Sequence, residues 1–121
     1  MSDELTERII GAAIEVHRVL GPRLLESIYE EALCHELALR NVHYERQFEV
    51  EIVYKEKTIK GQRIDLLVDN EVVVELKAVG NLPEVAKAQT LSYLKSTSLK
   101  RALLINFGEK RLIDGVTRLS L

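Results

Sequence analysis

The stretch RIDLLVDNEVVVELK, residues 63–77, decides how the rest of the chain is interpreted. Two apolar segments flank the polar residues 69–71, a pattern that predicts a β-hairpin. The second segment begins as an apolar run, Val72–Val74, but then reaches Glu75 and Lys77 where a buried strand normally continues with Val or Ile. Because strand side chains alternate between two faces, Glu75 and Lys77 share one face. The hairpin therefore carries charge where burial is expected.

The predicted turn also sets the pairing of the two strands. A three-residue loop at 69–71 pairs residues whose numbers sum to about 140, which places Asp65 opposite Glu75. Two adjacent carboxylates are unfavourable in a sheet unless a positive group lies between them. Lys77 and a divalent cation with oxygen ligands could both supply that charge. Two interpretations stay open at this point, a metal site and a structural ion-pair cluster at the end of a sheet.

Length and composition restrict the class of protein. With 121 residues, of which 46% are hydrophobic and 30% charged, the chain is expected to form one globular domain, residues 1–121. There is no Trp, which argues against a nucleic-acid surface built from stacked bases. No apolar run approaches the ~20 residues of a membrane span, and the N-terminus is acidic. We therefore expect a cytoplasmic protein without a membrane partner.

Charge is unevenly distributed along the chain. Residues 86–121 contain seven Lys and Arg but only two Asp and Glu, although the whole chain has a net charge of -2. A local excess of cations is typical of a surface that faces phosphates. A solvated helix or strand face gives the same count, so both interpretations stay open.

Hydrophobic periodicity and turn residues predict helices and strands in the order ααβββαβ, with a possible last β. The predicted segments are helices at 3–20 and 24–40, strands at 47–54, 58–68 and 72–77, a helix at 83–96, a buried strand at 101–107, and an edge strand within 111–121. Gly21-Pro22 separates the first two helices, and Gly61-Gln62 predicts a bulge or bend. The expected fold class is α/β, a mixed sheet flanked by helices.

The first two helices offer further candidate ligands. On the second helix Glu26, Tyr29 and Glu30 fall on one flank because they are three and four residues apart. That flank is either an exposed acidic surface or a side on which Glu26 points to a shared cation with Tyr29 covering it. His17 on the first helix is expected to be hydrogen-bonded or exposed rather than a ligand.

These residues together resemble the PD-(D/E)XK nuclease superfamily, whose restriction-endonuclease-like core is an α-β-β-β-α-β unit. Its Asp corresponds to Asp65 and its Glu-x-Lys to Glu75-Leu76-Lys77, while Glu26 matches the carboxylate from the preceding helix. The third helix carries Gln89 and Tyr93, similar to the Gln-x-x-x-Tyr motif of the RecB-like branch. Those two side chains are one helical turn apart and share a face.

Nearly the whole chain is similar to the small GxxExxY proteins, a prokaryotic branch of that superfamily. The stretches that carry the similarity are IGAAIEVH (10–17), LLESIYE (24–30), DLLV (65–68), VELKA (74–78) and LINFG (104–108). In the motif that names the branch, Arg23 stands in place of the leading Gly, whereas Glu26 and Tyr29 are kept.

The resemblance implies a nuclease that hydrolyses phosphodiester bonds, with DNA favoured over RNA, by means of Mg²⁺ or, as a substitute, Mn²⁺. It assigns catalysis to Glu26, Asp65, Glu75 and Lys77. It assigns the metal to Asp65, Glu75, the carbonyl of Leu76 and Glu26, with His17 as a possible extra ligand. Substrate positioning falls to Gln89, Tyr93 and Tyr29.

Two function classes stay open from the sequence. The first is a catalytically active nuclease, favoured because Asp65, Glu75 and Lys77 are all present. The second is a nuclease-fold module that binds nucleic acid or assembles with proteins without cutting, favoured by the small size, the few aromatics and the net acidity. In both cases so small a unit is expected to form a homodimer or to recruit a partner protein.

Overall fold

The computed structural model describes residues 3–121 and confirms the predicted order of elements. The elements are α1 (Glu4–Leu20), α2 (Glu26–Leu39), β1 (Tyr44–Tyr54), β2 (Lys57–Val68), β3 (Val72–Lys77), α3 (Glu84–Thr97), β4 (Arg101–Asn106), a 3₁₀-helix (Leu112–Gly115) and β5 (Val116–Ser120). Most boundaries agree with expectation to within two residues, but β1 begins three residues earlier than predicted and the last strand is shortened by the 3₁₀-helix. None of the helices in this range is long and apolar enough to cross a membrane.

The five strands form one mixed sheet in the order β1-β2-β3-β4-β5. Strands β3 and β4 are parallel and are connected through α3, as a β-helix-β crossover requires, and all other neighbours are antiparallel. The seam between β2 and β3 is short, because only three residue pairs, from Leu66↔Val74 to Val68↔Val72, form its ladder. By contrast, six pairs join β3 to β4.

Helices cover both faces of the sheet. Helices α1 and α2 pack on one face, where Ile9 and Leu33 are fully buried in the same cluster as Leu76. Helix α3 packs on the other face, where Leu94 is buried with Val73. Burial of each such side chain contributes about 2 kcal/mol. The mixed sheet flanked by helices, predicted from the sequence, is confirmed.

The β1–β2 hairpin contains the predicted irregularity. Near its two-residue turn the paired residues are Tyr54↔Lys57, but the register shifts by one between Val50 and Ile52. Gly61, with φ of 119°, supplies the extra residue on β2 in a backbone conformation that residues other than Gly rarely adopt. The bulge predicted at Gly61-Gln62 is therefore confirmed.

A buried amide fixes the loops that follow β3 and β4. Asn106 is 1% exposed, and its Oδ1 accepts hydrogen bonds from the backbone N–H of Val79 (3.0 Å) and of Gly108 (2.9 Å). Its Nδ2 donates to the carbonyl oxygen of Val79 at 3.0 Å. The two loops approach so closely that a Cβ on Gly108 would stand 2.2 Å from that oxygen. We call this arrangement the Asn106 clamp.

Substitution of Gly108 by alanine is expected to destabilise the protein by about 3 kcal/mol, because the new methyl group meets backbone that cannot move aside. The measurement is the urea midpoint of unfolding. Gly80→Ala is the matched control, since a Cβ at Gly80 has no heavy atom within 4 Å. Equal midpoints for the two variants would show that the Asn106 clamp tolerates separation of its loops.

Candidate functional site

The carboxylates of Asp65 and Glu75 stand side by side at the point where the β2–β3 ladder ends. The pair Leu66↔Val74 confirms the predicted sum of residue numbers. One step further, side chains replace the backbone ladder: Glu75 Oε1 accepts from Asp65 N–H at 2.8 Å, and Asp65 Oδ2 accepts from Leu76 N–H at 2.8 Å. Each carboxylate is therefore bound to the backbone of the opposite strand.

A change of face in the β1–β2 hairpin accompanies this arrangement. Ile64 packs in the α3 cluster and Leu66 in the α1–α2 cluster, although residues two apart share a face of a regular strand. On β1, Tyr44 and Phe48 differ in the same way, and Gln47 between them has φ of 53°. Both strands of the hairpin thus change face at the level of the carboxylate on residue 65.

Burial and nearby negative charges disfavour the ionised form of both carboxyl groups of the pair. The pKa of Asp65 is raised to about 6, mainly by burial and also by the charges of Glu30 and Glu26, while the hydrogen bond from Leu76 N–H acts in the opposite direction. Burial, followed by the charge of Asp65, raises the pKa of Glu75 to about 8. Lys77 acts in the opposite direction on that second carboxyl. The site therefore favours a proton or a bound cation.

Helix α2 reaches the pair through Glu30, which the sequence placed on the flank of Glu26 without assigning it a role in the site. Glu30, 8% exposed, accepts hydrogen bonds from Arg46 Nε at 2.6 Å and from Gln47 Nε2 at 2.8 Å. The same Gln47 amide also lies 3.3 Å from Asp65 Oδ1. Glu26, one turn earlier, is exposed, and its charge acts on both site carboxyls. Gln47 is thus a bridge between α2 and β2.

Lys77 and Tyr93 both interact electrostatically with the pair. Lys77 is half-buried and forms no ion pair within residues 3–121. Tyr93 is 4% exposed, and burial followed by the charges of Glu75 and Asp65 raises its pKa. Gln89, one turn earlier on α3, is exposed. The structure therefore brings Tyr93 to the carboxylates and leaves Gln89 accessible.

Tyr29 and His17 are held in other contacts. Tyr29 is fully buried and stacked on Phe107, with ring centroids 4.5 Å apart. Its hydroxyl donates to the carbonyl of Gly21 and accepts from Leu24 N–H at 3.1 Å. His17 Nε2 is hydrogen-bonded to the Glu109 carbonyl at 2.9 Å. Neither side chain hydrogen-bonds to the carboxylate pair, and both fasten loops around helix α1.

The Tyr29 hydroxyl is expected to support the fold. Tyr29→Phe leaves the Gly21 carbonyl and the Leu24 N–H without a partner, so we expect a loss of about 1 to 3 kcal/mol in the free energy of unfolding. Tyr54→Phe is the matched control because Tyr54 is 59% exposed. Urea denaturation measures both variants. Equal stability of Tyr29→Phe and the wild type would show that this hydroxyl does not support the fold and is available to contact substrate.

The donors at the pair suit a hard divalent cation. In the part of the chain that the structure describes, no three His, Cys, Asp or Glu side chains form a ready-made metal cage. Asp65 Oδ1 keeps only the 3.3 Å contact to Gln47, and Glu75 Oε2 accepts no hydrogen bond within residues 3–121. Two carboxylate oxygens without a neighbouring cation, together with the carbonyl of Leu76, match the oxygen ligands of Mg²⁺. The exposed Glu26 is free to supply a further one.

Fold and site together define a restriction-endonuclease-like domain, a mixed sheet with an Asp on one strand of a hairpin and Glu-x-Lys on the next. The chain belongs to the PD-(D/E)XK nuclease superfamily, whose family model matches residues 3–119. A solved structure described as the crystal structure of SSO0001 is similar to this chain, with 21% sequence identity and a TM-score of 0.42. The similarity covers 100% of this chain and 79% of that one. A search of curated proteins finds no significant match.

Proposed function

We propose that the protein is a divalent-metal-dependent nuclease that hydrolyses phosphodiester bonds, with DNA rather than RNA as its substrate. Membership of the superfamily indicates a nuclease that acts on nucleic acid, and nucleases of this superfamily generally use divalent metals. The observation that carries the proposal is the Asp65–Glu75 pair, partly buried and deficient in positive charge, with Lys77 on the same strand. We also place the chain in the GxxExxY branch, on the five sequence stretches given above.

The proposed metal ligands are Asp65, Glu75 and the carbonyl of Leu76, with Glu26 from α2, and the proposed ion is Mg²⁺ with Mn²⁺ as a substitute. Such an ion supplies neutralising charge and lowers the pKa of a coordinated water. The raised pKa of Glu75 gives a reason for binding, because a cation there relieves the repulsion from Asp65.

The remaining polar groups of the site act on the substrate directly. Lys77 carries the free ammonium nearest to Glu75 along β3, so it would orient the attacking water or stabilise charge that develops on the phosphate. The Tyr93 hydroxyl makes no hydrogen bond within residues 3–121, although the ring is buried beside the pair. We assign Tyr93 and the exposed Gln89 to positioning the strand that is cut.

The test is cleavage of labelled single-stranded and duplex DNA, and of RNA, with Mg²⁺, with Mn²⁺ and with EDTA. We expect cleavage with either ion, none in EDTA, and faster cleavage of DNA than of RNA. Calorimetry with Mg²⁺ and Mn²⁺ accompanies the assay and is expected to show binding in the absence of nucleic acid. A protein that neither cleaves nor binds either ion would overturn the proposal.

A second candidate function is a nuclease-fold module that binds nucleic acid or assembles with proteins without cutting. It is favoured by one observation: an oxygen of each site carboxylate is already bound to a backbone N–H, at 2.8 Å in both cases, and no complete metal cage is present within residues 3–121. Nucleic-acid binding that is unchanged by metal, without cleavage, would favour this alternative.

We propose further that the protein forms a homodimer or binds a partner protein. Large apolar side chains on α1, on α2 and between them face solvent, with Val19 63%, Leu25 74% and Leu39 64% exposed. Burial of such side chains at an interface is favourable by roughly 25 cal/mol for each Å². Light scattering after gel filtration measures the mass of the wild type directly.

A further inference from the structure

A cavity of ≈ 630 Å³ opens beyond the end of β3, the strand that carries Glu75 and Lys77. Its walls are the α1–α2 turn at Pro22–Leu24, the loop Ala78–Gly80 after β3, and the loop after β4 at Gly108 and Lys110. Ala78 follows Lys77 directly in the chain, so the cavity begins where the site strand ends. Its volume falls within the range of sites that take small ligands.

The charge of this cavity is entirely positive. Arg23 and Lys110 are the charged residues of its lining, and no Asp or Glu accompanies them. Neither cation forms an ion pair within residues 3–121. Most arginines of the chain are paired with carboxylates, namely Arg18, Arg40, Arg46, Arg101, Arg111 and Arg118. The cavity therefore concentrates positive charge that the fold does not neutralise.

Buried hydrogen bonds hold the walls in place. The Asn106 clamp joins the loop after β3 to the loop after β4. The hydroxyl of Tyr29 bonds to the backbone on both sides of Arg23, at Gly21 and at Leu24. A site whose shape is fixed before binding loses less conformational entropy when a ligand enters. The cavity is thus preformed as well as positively charged.

We infer that this cavity binds a phosphate group of the nucleic-acid strand, on the side of the site beyond Lys77. Two unpaired cations in a preformed concave site match the charge of a phosphate. Ala78 follows Glu75 by three residues, at most about 10 Å of extended chain, so the bound group belongs to the same stretch of the nucleic-acid strand as the cleaved phosphate. Only the choice of nucleic acid as ligand rests on the proposed function.

The inference gives Arg23 a role. The GxxExxY motif has Gly at this position, and glycine there leaves the α1–α2 turn without a charge. Arg23 is exposed and its guanidinium has five N–H donors. Together with Lys110 it makes this chain's cavity a phosphate site.

The test measures binding of a labelled single-stranded oligonucleotide in EDTA, where metal-dependent cleavage is absent. The variants are Arg23→Gln, Lys110→Gln and the double variant. Each cation that contacts a phosphate contributes about 0.7 to the slope of log affinity against log salt for single strands. We expect the double variant to reduce that slope by about 1.4 and to bind about 10-fold more weakly near 0.1 M salt.

Lys100→Gln is the matched control. Lys100 is exposed, forms no ion pair within residues 3–121 and precedes the first residue of β4, whereas the cavity lies beyond the last. Because β4 is six residues long, the two positions are about 20 Å apart. We expect its salt slope to equal that of the wild type. A double variant with the wild-type slope, or a control that weakens binding equally, would overturn the inference.

Oligonucleotides with a 5′-phosphate, a 3′-phosphate or only hydroxyl ends identify the source of the group. A terminal phosphate gives a preference for one phosphorylated end that the double variant lacks, whereas an internal phosphodiester gives equal binding of all three. Both outcomes support the inference when the double variant loses affinity. A failure of the nuclease proposal shows as absent cleavage by the wild type with Mg²⁺, which leaves these binding data unaffected.

Discussion

Asp65→Asn is expected to abolish metal-dependent cleavage, with a fall in rate of about 10³-fold or more. The carboxylate at this position accepts Leu76 N–H through Oδ2 and offers Oδ1 beside Gln47. An asparagine of the same shape has one oxygen and no negative charge, so it cannot both keep the backbone bond and hold a cation. Single-turnover cleavage of labelled DNA with Mg²⁺ is the measurement.

Asp69→Asn makes the same chemical change four residues away and serves as the control. Asp69 lies in the β2–β3 turn, is exposed and has φ of 51°, a conformation that Asn tolerates well. It is expected to cleave at the wild-type rate. Should Asp65→Asn cleave as fast as Asp69→Asn, the carboxylate pair would have no part in the reaction.

Lys77→Met separates metal binding from chemistry in the same assay. Methionine keeps an unbranched side chain in the half-buried position and removes only the ammonium. We expect metal binding by calorimetry to persist while the cleavage rate falls, because the lysine is assigned to the water and the phosphate rather than to the cation. Loss of metal binding as well would mean that the lysine acts through Glu75.

Glu75→Gln is expected to stabilise the metal-free protein at pH 8. The folded-state pKa of Glu75 is about 8, raised from the ordinary value of 4.5 by burial and by Asp65. A group with a raised pKa contributes stability that is fully present below 4.5 and is lost as the pH rises through 8. Glutamine keeps an oxygen for Asp65 N–H and carries no charge, so the variant avoids that loss.

Thermal unfolding in EDTA at several pH values between 5 and 8 tests this expectation. The midpoint of the wild type is expected to fall over this range and that of Glu75→Gln to fall less, with roughly 4 °C for each kcal/mol of free energy. Glu45→Gln is the control, since Glu45 is exposed and unpaired within residues 3–121. Added Mg²⁺ is expected to raise the midpoint of the wild type and not of Glu75→Gln. Parallel curves for wild type and Glu75→Gln would contradict the assigned cause.

The fold could be predicted from the sequence wherever local chemistry determined it. Gly21-Pro22 separates two helices, and residues 69–71 form a turn whose length sets the register of β2 on β3. That register alone brings Asp65 next to Glu75. The apolar run at 101–106 is buried between layers and pairs parallel to β3, as its composition indicated.

The role of Gln47 could not be predicted from local patterns. The turn of the β1–β2 hairpin pairs Tyr54 with Lys57, and this register continued without a break places Gln47 opposite Ile64. The bulge at Gly61 moves it by one residue, to Asp65. The sequence indicated a bulge or bend at Gly61-Gln62, but only the folded hairpin shows that this bulge and the two-residue turn together align the amide with the site.

Helical spacing likewise predicted the side of α2 on which Tyr29 lies, but not the residues that it contacts. Tyr29 and Glu30 are consecutive on α2 and both are buried, yet the tyrosine turns to Gly21 and Phe107 while the glutamate turns to Arg46. Periodicity defines which side of a helix is covered. It does not define which neighbouring element covers each residue.

The short seam between β2 and β3 gives the two site carboxylates different mechanical supports. Asp65 belongs to the β1–β2 hairpin, whereas Glu75 belongs to the block of β3 and β4. Three residue pairs and the two hydrogen bonds of the carboxylates join these parts. A small rotation of the hairpin therefore changes the separation of the carboxylates before it disturbs either core. The distance between the two carboxylates therefore depends on how the hairpin is held against the parallel strands.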